Sequence, residues 1–547
     1  MWDTYHGAIL LVLMGIFFIF TLYWRRSLDD YAATMLFNSP EYLFLFLPFA
    51  ALVFYIFSRA PDTERQIGWL VLASLVFYAS WKPIYLLLIF SSVAVNFTIS
   101  KRLLQAEQGT KRSWLIAGIC FNLGLLGYFK YTGFFIDSLN AMGDWLIPAP
   151  SITLPLAISF FTFQQIAYLV DVSRGNCQEY QFRHYALFVL FFPQLIAGPI
   201  VHHKEMMPQF RQLRPPAQLP TDYAVGLTFI AIGLFKKVVL ADSLALIVDP
   251  VFDAASAGSE INSIDAWLAM FGFSFQIYFD FSGYTDIAIG SARLFGIRLP
   301  ENFRSPYKAS SIIDIWNRWH MTLSRFLRDY LYFTFGGNRH GTLKRFRNLF
   351  LTMLLGGLWH GAAWTFVVWG GLHGIFLCLN HLWRAATARL GLRELFSHAI
   401  FQPVFVFITF LAWSIAVVVF RSSDLTASWA IIHPVLLDVS LDAPLLLDHA
   451  FGDAALWKVV SMRTAADVSY IGVYTLMLAA AATCWLLPSS QQLMINYNPV
   501  IIADNTPLER GYVSWRPNFA FALVSGVLLS LAILGLSSIS RFYYFQF

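Results

Sequence analysis

From Asn348 to Trp383 the chain runs 36 residues without an Asp, Glu, Lys or Arg, and in the middle of that run stands Trp359-His360-Gly361. Crossing the hydrocarbon core of a bilayer takes roughly 20 helical residues, so the run is long enough to enter and cross one. At a rise of ~1.5 Å per residue, His360 would lie about 18 Å below Asn348, near the middle of a core about 30 Å thick. An imidazole at that depth loses hydration whenever it carries charge. It must therefore face a polar cavity or the protein interior, and a titratable group there is a functional candidate by default.

The rest of the chain has the same character. Of its 547 residues 58% are hydrophobic and 13% charged, the latter about half the usual soluble fraction. Apolar runs recur at Tyr42–Phe57, Gly68–Trp81, Ile84–Ile99, Trp114–Phe129, Ile152–Val170, Ala224–Val248 and Trp267–Phe279. Others are Leu349–Trp369, Phe401–Phe420, Ser469–Leu487 and Phe519–Ser537. With the N-terminal Ile9–Trp24 they make about a dozen, and the expected fold is an all-α polytopic membrane protein of about 11–13 transmembrane or re-entrant helices. Ile9–Trp24 precedes Arg25–Arg26 and lacks a small-residue cleavage site, so it reads as an anchor and not a removed signal. Met35 begins a second apolar start, MLFNSPEYLFLFLPF. Residues 1–34 are thus expected to be an extension with an extra membrane helix, and 35–547 the functional unit.

The net charge of +5 comes from Lys and Arg in loops such as Lys101–Arg102, Lys111–Arg112 and Lys344–Arg347, which read as cytoplasmic. Beside membrane spans such loops do not argue for nucleic acid. Cys120, Cys177, Cys378 and Cys484 are scattered with no CxxC or Cys/His cluster, which supports neither a disulfide framework nor a metal site. No Walker, GxGxxG or GxSxG motif is present, which argues against ATP-driven, dinucleotide and serine-hydrolase chemistry.

Two stretches break the membrane pattern: a polar, proline-rich loop at His202–Asp222 and the segment Pro300–Arg347. Within the second, Ser311–Phe333 has apolar residues at helical spacing, from Ile312, Ile315, Trp316 and Trp319 through Leu323, Phe326, Leu327 and Tyr330. Asp314/Arg318 and Arg325/Asp329 stand four apart, mostly off that stripe. One interfacial or buried helix is expected, with His320 beside its apolar stripe. A turn at Gly336–Gly341 and the basic Lys344–Arg347 then lead to the next span, so His320 and His360 could converge from consecutive long helices.

A neutral imidazole, with an ordinary pKa near 6.5, can accept a hydroxyl proton at physiological pH. His360 and His320 are therefore the catalytic candidates, and the bland alternative is interhelical hydrogen bonding. His373 ranks third, as a packing or orienting residue, and His202–His203 reads as a solvated pair. Trp316, Trp319, Trp359 and Asp280 are the candidates for contacting substrate. Asp280 and Asp286, at the end of an apolar span, also have a structural reading, bonded to amides or to an arginine of Ser311–Phe333.

These blocks resemble the membrane-bound O-acyltransferase family, in its bacterial polysaccharide branch. The resemblance is carried by MLFNSPEYLFLFLP (Met35–Pro48), GYFKYTGFF (Gly127–Phe135), LPLAISFFTFQQIAYLVDVSRG (Leu154–Gly175), FPQLIAGPI (Phe192–Ile200), GLFKKVVLAD (Gly233–Asp242) and YFDFSGYTDIAIG (Tyr278–Gly290). It continues through Glu301–Arg339, with WNRWHMTLS, through Asn348–Gly374, with GLWHG, to the terminal YYFQF. It implies a ring of helices around a central catalytic tunnel, with His360 as the catalytic histidine and His320 as the second signature histidine. It also implies acetyl-CoA as the acyl donor, no bound cofactor, and transfer toward hydroxyls of an exported alginate- or cellulose-like polysaccharide. A periplasmic acyltransferase and polysaccharide export machinery would be partners, and the bacterial inner membrane the location. Peptidoglycan or teichoic acid as acceptor, and an export channel with His360 as a proton relay, are the alternatives.

Overall fold

A computed structural model describes residues 35–59, 63–143, 145–177, 179, 181–196, 198–213, 219–437, 468–502, 508 and 511–536. The expected N-terminal span and the terminal YYFQF lie outside them. Among the described residues the chain is helical, with a single isolated bridge between Pro300 and Ile501. The helices used below are α1 (Leu47–Phe57), α2 (Thr63–Ala79), α3 (Tyr85–Gln105), α4 (Gln108–Leu126), α5 (Thr132–Met142), α6 (Ile158–Ser173), α7 (His203–Arg211), α8 (Leu219–Leu234), α9 (Asp242–Ser256) and α10 (Ser263–Arg293). They continue with α11 (Ile312–Trp316), α12 (Met321–Phe326), α13 (Thr342–His360), α14 (Trp364–Arg389), α15 (Gln402–Arg421), α16 (Val468–Leu486) and α17 (Phe519–Gly535).

Among the described residues five helical stretches are long and apolar enough to cross a membrane: Tyr85–Gln105, Gly109–Met142, Pro220–Ser256, Trp364–Arg389 and Ala399–Arg421. Shorter apolar helices, among them Glu41–Phe57 and Phe519–Gly535, accompany them. Large apolar side chains such as Phe49, Leu87, Phe407 and Leu534 stand exposed on the outside. In water that surface would be a liability; against lipid it is what a polytopic protein needs.

The middle of the molecule is α10, 31 residues long and buried along nearly its whole length. Its fit against α8 depends on two glycine pairs one heptad apart. A Cβ on Gly226 would stand 2.7 Å from the carbonyl oxygen of Gly290, and one on Gly233 would stand 2.6 Å from that of Gly283. Backbones come this close only where neither residue has a side chain. Ion pairs tie α10 to α8 and to the π-helical stretch Phe235–Ala241 that follows it: Lys237 meets Asp280, and also Asp242 of α9, at 2.7 Å, Lys236 meets Asp286 at 2.6 Å, and Arg293 meets Asp222 at 2.8 Å.

Three sequence expectations change here. The run around His360 is not one span. The helix α13 ends at His360, residues 361–363 are extended or bent, and α14 folds back on α13, with Gly357 against Gly370 and Phe350 against Gly374. This makes an antiparallel hairpin whose uncharged descending limb, Asn348–His360, covers about 18 Å, short of a core about 30 Å thick. Next, Ser311–Phe333 is not one helix: it breaks into α11, a turn, and α12 with the π-helical turn Leu327–Tyr332. Finally, Asp280 and Asp286 lie within α10 rather than at the end of a span; their ion-pair partners are lysines, not arginines, and Asp286 also accepts from Ser490 and Gln491.

Candidate functional site

The break in Ser311–Phe333 falls at His320. This residue sits just before α12 with φ +42, a left-handed conformation that a non-glycine residue adopts at some energetic cost. The surroundings hold it there. The Met321 amide donates to the carbonyl of Asn302 at 3.0 Å, and the His320 ring, fully buried, directs Nδ1 at Asn302 Oδ1, also at 3.0 Å. That amide oxygen also accepts from Thr322 Oγ1 at 2.8 Å, and Thr322 Oγ1 in turn accepts the Ile200 amide at 3.0 Å. A carbonyl oxygen can only accept, so the neutral ring carries its proton on Nδ1 and keeps its lone pair on Nε2. Phe281 of α10 stands edge-on to the same ring at 4.8 Å.

His360 is the last residue of α13. The helix stops because Gly361 takes an extended backbone, where the ring of Phe366 occupies the space a side chain would need. The His360 imidazole is buried among Trp359 at 4.9 Å, Trp369 of α14 at 5.0 Å and Phe420 of α15 at 5.3 Å, all roughly edge-on. The indole of Trp359 also lies 6.4 Å from the His320 ring, so one tryptophan faces both histidines. It is seated by Phe160 and Phe163 of α6, each at 5.2 Å, and its Nε1 donates to the Ser159 carbonyl at 3.4 Å. The two histidines thus meet across Trp359, although they come from a kink and a helix end instead of from two long helices.

The other candidates divide. Trp316 is one ring further out, against Trp369 at 6.0 Å and His373 at 5.1 Å. Trp319, next to His320 in the chain, packs its ring on Phe303 at 5.1 Å and Trp413 at 4.8 Å. His373 is fully buried in a cage of Trp316, Trp369, Trp413 and Phe376, in keeping with a packing role. Asp280 does not face the histidines: its carboxylate turns to Lys237, while its neighbour Phe281 is the residue on His320.

His202 and His203 are not a solvated pair. Their Nε2 atoms donate to Asp171 Oδ2 at 2.9 and 3.0 Å, and the Tyr330 hydroxyl donates to the same oxygen at 2.6 Å. Burial alone would raise the Asp171 carboxyl, but those hydrogen bonds outweigh it and hold it well below the usual carboxylate range. Burial pushes His203 down despite that carboxylate. Asp171, His202 and His203 bring ligand atoms within 4.8 Å of one another, which is metal-like spacing. However, His202 Nδ1 accepts the Lys204 amide at 3.2 Å, so the neutral ring has its proton on Nε2, the atom a metal would need. The cluster fits a hydrogen-bonded clamp joining α6, α7 and Leu327–Tyr332.

Sequence reasoning missed Asn302, for which polar residues near a histidine are too common a signal. It also passed over Lys130 and Tyr131. There a signal existed, because Lys130 is the single charged residue between Arg112 and Asp137.

Two buried imidazoles sharing an indole, at a helix end inside a helical membrane protein, make a candidate site shielded from bulk water. The chain belongs to the membrane-bound O-acyltransferase family, whose model it matches over residues 172–422, a range that includes both histidines. It is 44% identical over 425 residues to the peptidoglycan O-acetyltransferase of Helicobacter pylori, covering 72% of this chain and 78% of that protein. To the probable alginate O-acetylase AlgI of Pseudomonas aeruginosa it is 40% identical over 402 residues, covering 72% and 74%. A teichoic acid D-alanyltransferase of Streptococcus thermophilus is 27% identical over 272 residues, covering 47% of this chain and 65% of that protein. The protein is a multi-pass membrane O-acyltransferase, and the export-channel alternative gives way to the enzyme.

Proposed function

We propose that this enzyme moves an acetyl group from a cytosolic thioester, acetyl-CoA, toward hydroxyls of an exported cell-surface polysaccharide at the bacterial inner membrane, through a periplasmic acyltransferase partner. The observation that carries the reading is the pairing of His360 and His320 on Trp359 at a helix break inside the bundle. In this reading donor and acceptor reach the pair along a central passage, and Trp359, Trp316 and Trp319 line its apolar part. His360 takes the proton of the acceptor hydroxyl. The oxygen bonds to the thioester carbon, the C–S bond breaks, and the departing thiolate retrieves the proton. His320, its Nδ1 proton committed to Asn302, positions the donor through the other edge of its ring.

An alginate- or cellulose-like polymer is the first acceptor considered. The H. pylori relative gives peptidoglycan a specific claim as the second. Positioned acid–base help is worth about 10²–10⁴ in rate, so His360→Ala should lower transfer by at least ~100-fold while the protein still accumulates in the membrane. The assay is O-acetyl ester content of the extracellular polysaccharide and of the peptidoglycan in a deletion strain carrying each variant. Wild-type ester levels with His360→Ala would refute the role. The fraction that loses esters in the deletion strain identifies the acceptor.

A further inference from the structure

The ammonium of Lys130 lies within the apolar stretch Gly109–Met142, on the π-helical turn Gly127–Tyr131 between α4 and α5. No carboxylate answers it among the described residues. Its three donors go instead to three neutral oxygens: the Trp359 carbonyl at 2.6 Å, the His360 carbonyl at 2.9 Å and Ser159 Oγ at 3.2 Å. The next residue, Tyr131, donates its hydroxyl to the Leu358 carbonyl at 2.7 Å. Two adjacent side chains from a separate span therefore take up the carbonyls of Leu358, Trp359 and His360, the last three residues of α13.

A helix leaves its final carbonyls without intrahelical partners, and they carry the negative end of the helix dipole. Most helices satisfy them with water or with a left-handed glycine just beyond the end. Here the following glycine, Gly361, is extended, with φ −155, and provides no such cap. The bundle uses the amine of a lysine from another span instead. Placing an ionisable group among apolar helices is costly, and such groups are retained where they serve function. The residue secured this way is the proposed base. A general base works only within hydrogen-bond reach of its proton, and a misplacement of about 1 Å can cost ~100-fold.

We infer that Lys130, assisted by Tyr131, is a positioning residue for the acyl transfer: it clamps the carbonyl end of α13 and so fixes His360 relative to Trp359 and His320. The π turn is part of the device, because the extra residue it inserts turns consecutive side chains of α4–α5 onto one helix end. The inference rests on the reading of His360 as the proton acceptor, so the His360→Ala variant runs alongside as a control. If that variant keeps its activity, the base assignment fails. If it is inactive while Lys130 variants are fully active, the clamp alone fails.

The test uses the full chain in nanodiscs and separates kcat from KM. Radiolabelled acetyl-CoA is the donor, and the acceptor is the polysaccharide or peptidoglycan fraction that loses its esters in the deletion strain. Lys130→Met keeps the stem volume and removes the donors. It should lower kcat at least 10-fold while leaving KM for acetyl-CoA within about threefold, and Lys130→Arg, which retains charge and donors, should recover most of the loss. Unchanged kcat in Lys130→Met, or a raised KM at full kcat, would overturn the clamp, the latter by making Lys130 a donor-binding group. Should Lys130→Met fail to accumulate as a monodisperse protein, Tyr131→Phe decides: a severalfold lower kcat at unchanged KM supports the clamp, and wild-type kcat rejects it.

Discussion

At the scale of single residues, the two histidines are prepared differently. His360 is placed by where its helix ends, whereas His320 is placed by a strained backbone and by one amide oxygen. Asn302 carries that second task, since its Oδ1 meets His320 Nδ1 and Thr322 Oγ1 together. Replacing it with leucine removes the acceptor that selects the tautomer and leaves a buried N–H without a partner. Asn302→Leu should therefore lower kcat by ~100-fold, near the lower end of the acid–base contribution, with protein yield close to wild type. Steady-state kinetics on the purified enzyme measures this, and kcat within twofold of wild type would show that the tautomer is held elsewhere. Asp280 illustrates the opposite case. A carboxylate in a span is a functional candidate on composition grounds, yet it spends its charge on Lys237.

At the scale of elements, close helix approach sets the architecture. Gly226 and Gly290, and Gly233 and Gly283, bring α8 and α10 to backbone contact. A valine at Gly233 must displace the Gly283 carbonyl and Ile287. Overpacking of this kind costs about 1–3 kcal/mol, more where only backbone can yield. Gly233→Val should lower the melting temperature in detergent and reduce transfer, because α10 also carries Phe281 against His320. A melting temperature equal to wild type would mean that the pair slides without penalty. The α13–α14 hairpin works the same way: Gly357 and Gly370 let it close, and its turn leaves His360 at the tip of the descending limb.

At the scale of the whole molecule, the Asp171–His202–His203–Tyr330 clamp joins segments distant in sequence and gives stability a sign with pH. Asp171 sits below its ordinary value when folded, so its contribution is present at neutral pH and fades as pH falls below about 4, where the unfolded carboxyl would protonate. His203 is also lowered when folded, so the unfolded chain takes up that proton first and stability falls as pH drops below about 6.5. Both act in the same direction. The melting temperature of the intact protein, followed by intrinsic fluorescence, should decline from pH 7.5 to 5.5 and fall more steeply near pH 4. In His203→Gln the first decline should flatten. A profile level between pH 7.5 and 5.5 would remove the clamp from the stability of the fold.

Much was legible beforehand. Membrane residence follows from composition, since uncharged runs of this length have nowhere else to go. The choice of His360 and His320 as candidates follows because titratable groups are scarce among so many apolar ones. The details of placement were not legible, because they depend on contacts between residues far apart in the chain. Helical periodicity through Ser311–Phe333 is satisfied whether the helix continues or breaks, and contacts from Asn302 and Arg304, distant in sequence, hold the break at His320. An uncharged run fits one span as well as a hairpin, until Gly357 meets Gly370 and Phe366 fills the space beside Gly361. Local sequence sets what each segment can be. Which carbonyls need a cap, and which lysine in another span supplies it, are decided only when the helices pack.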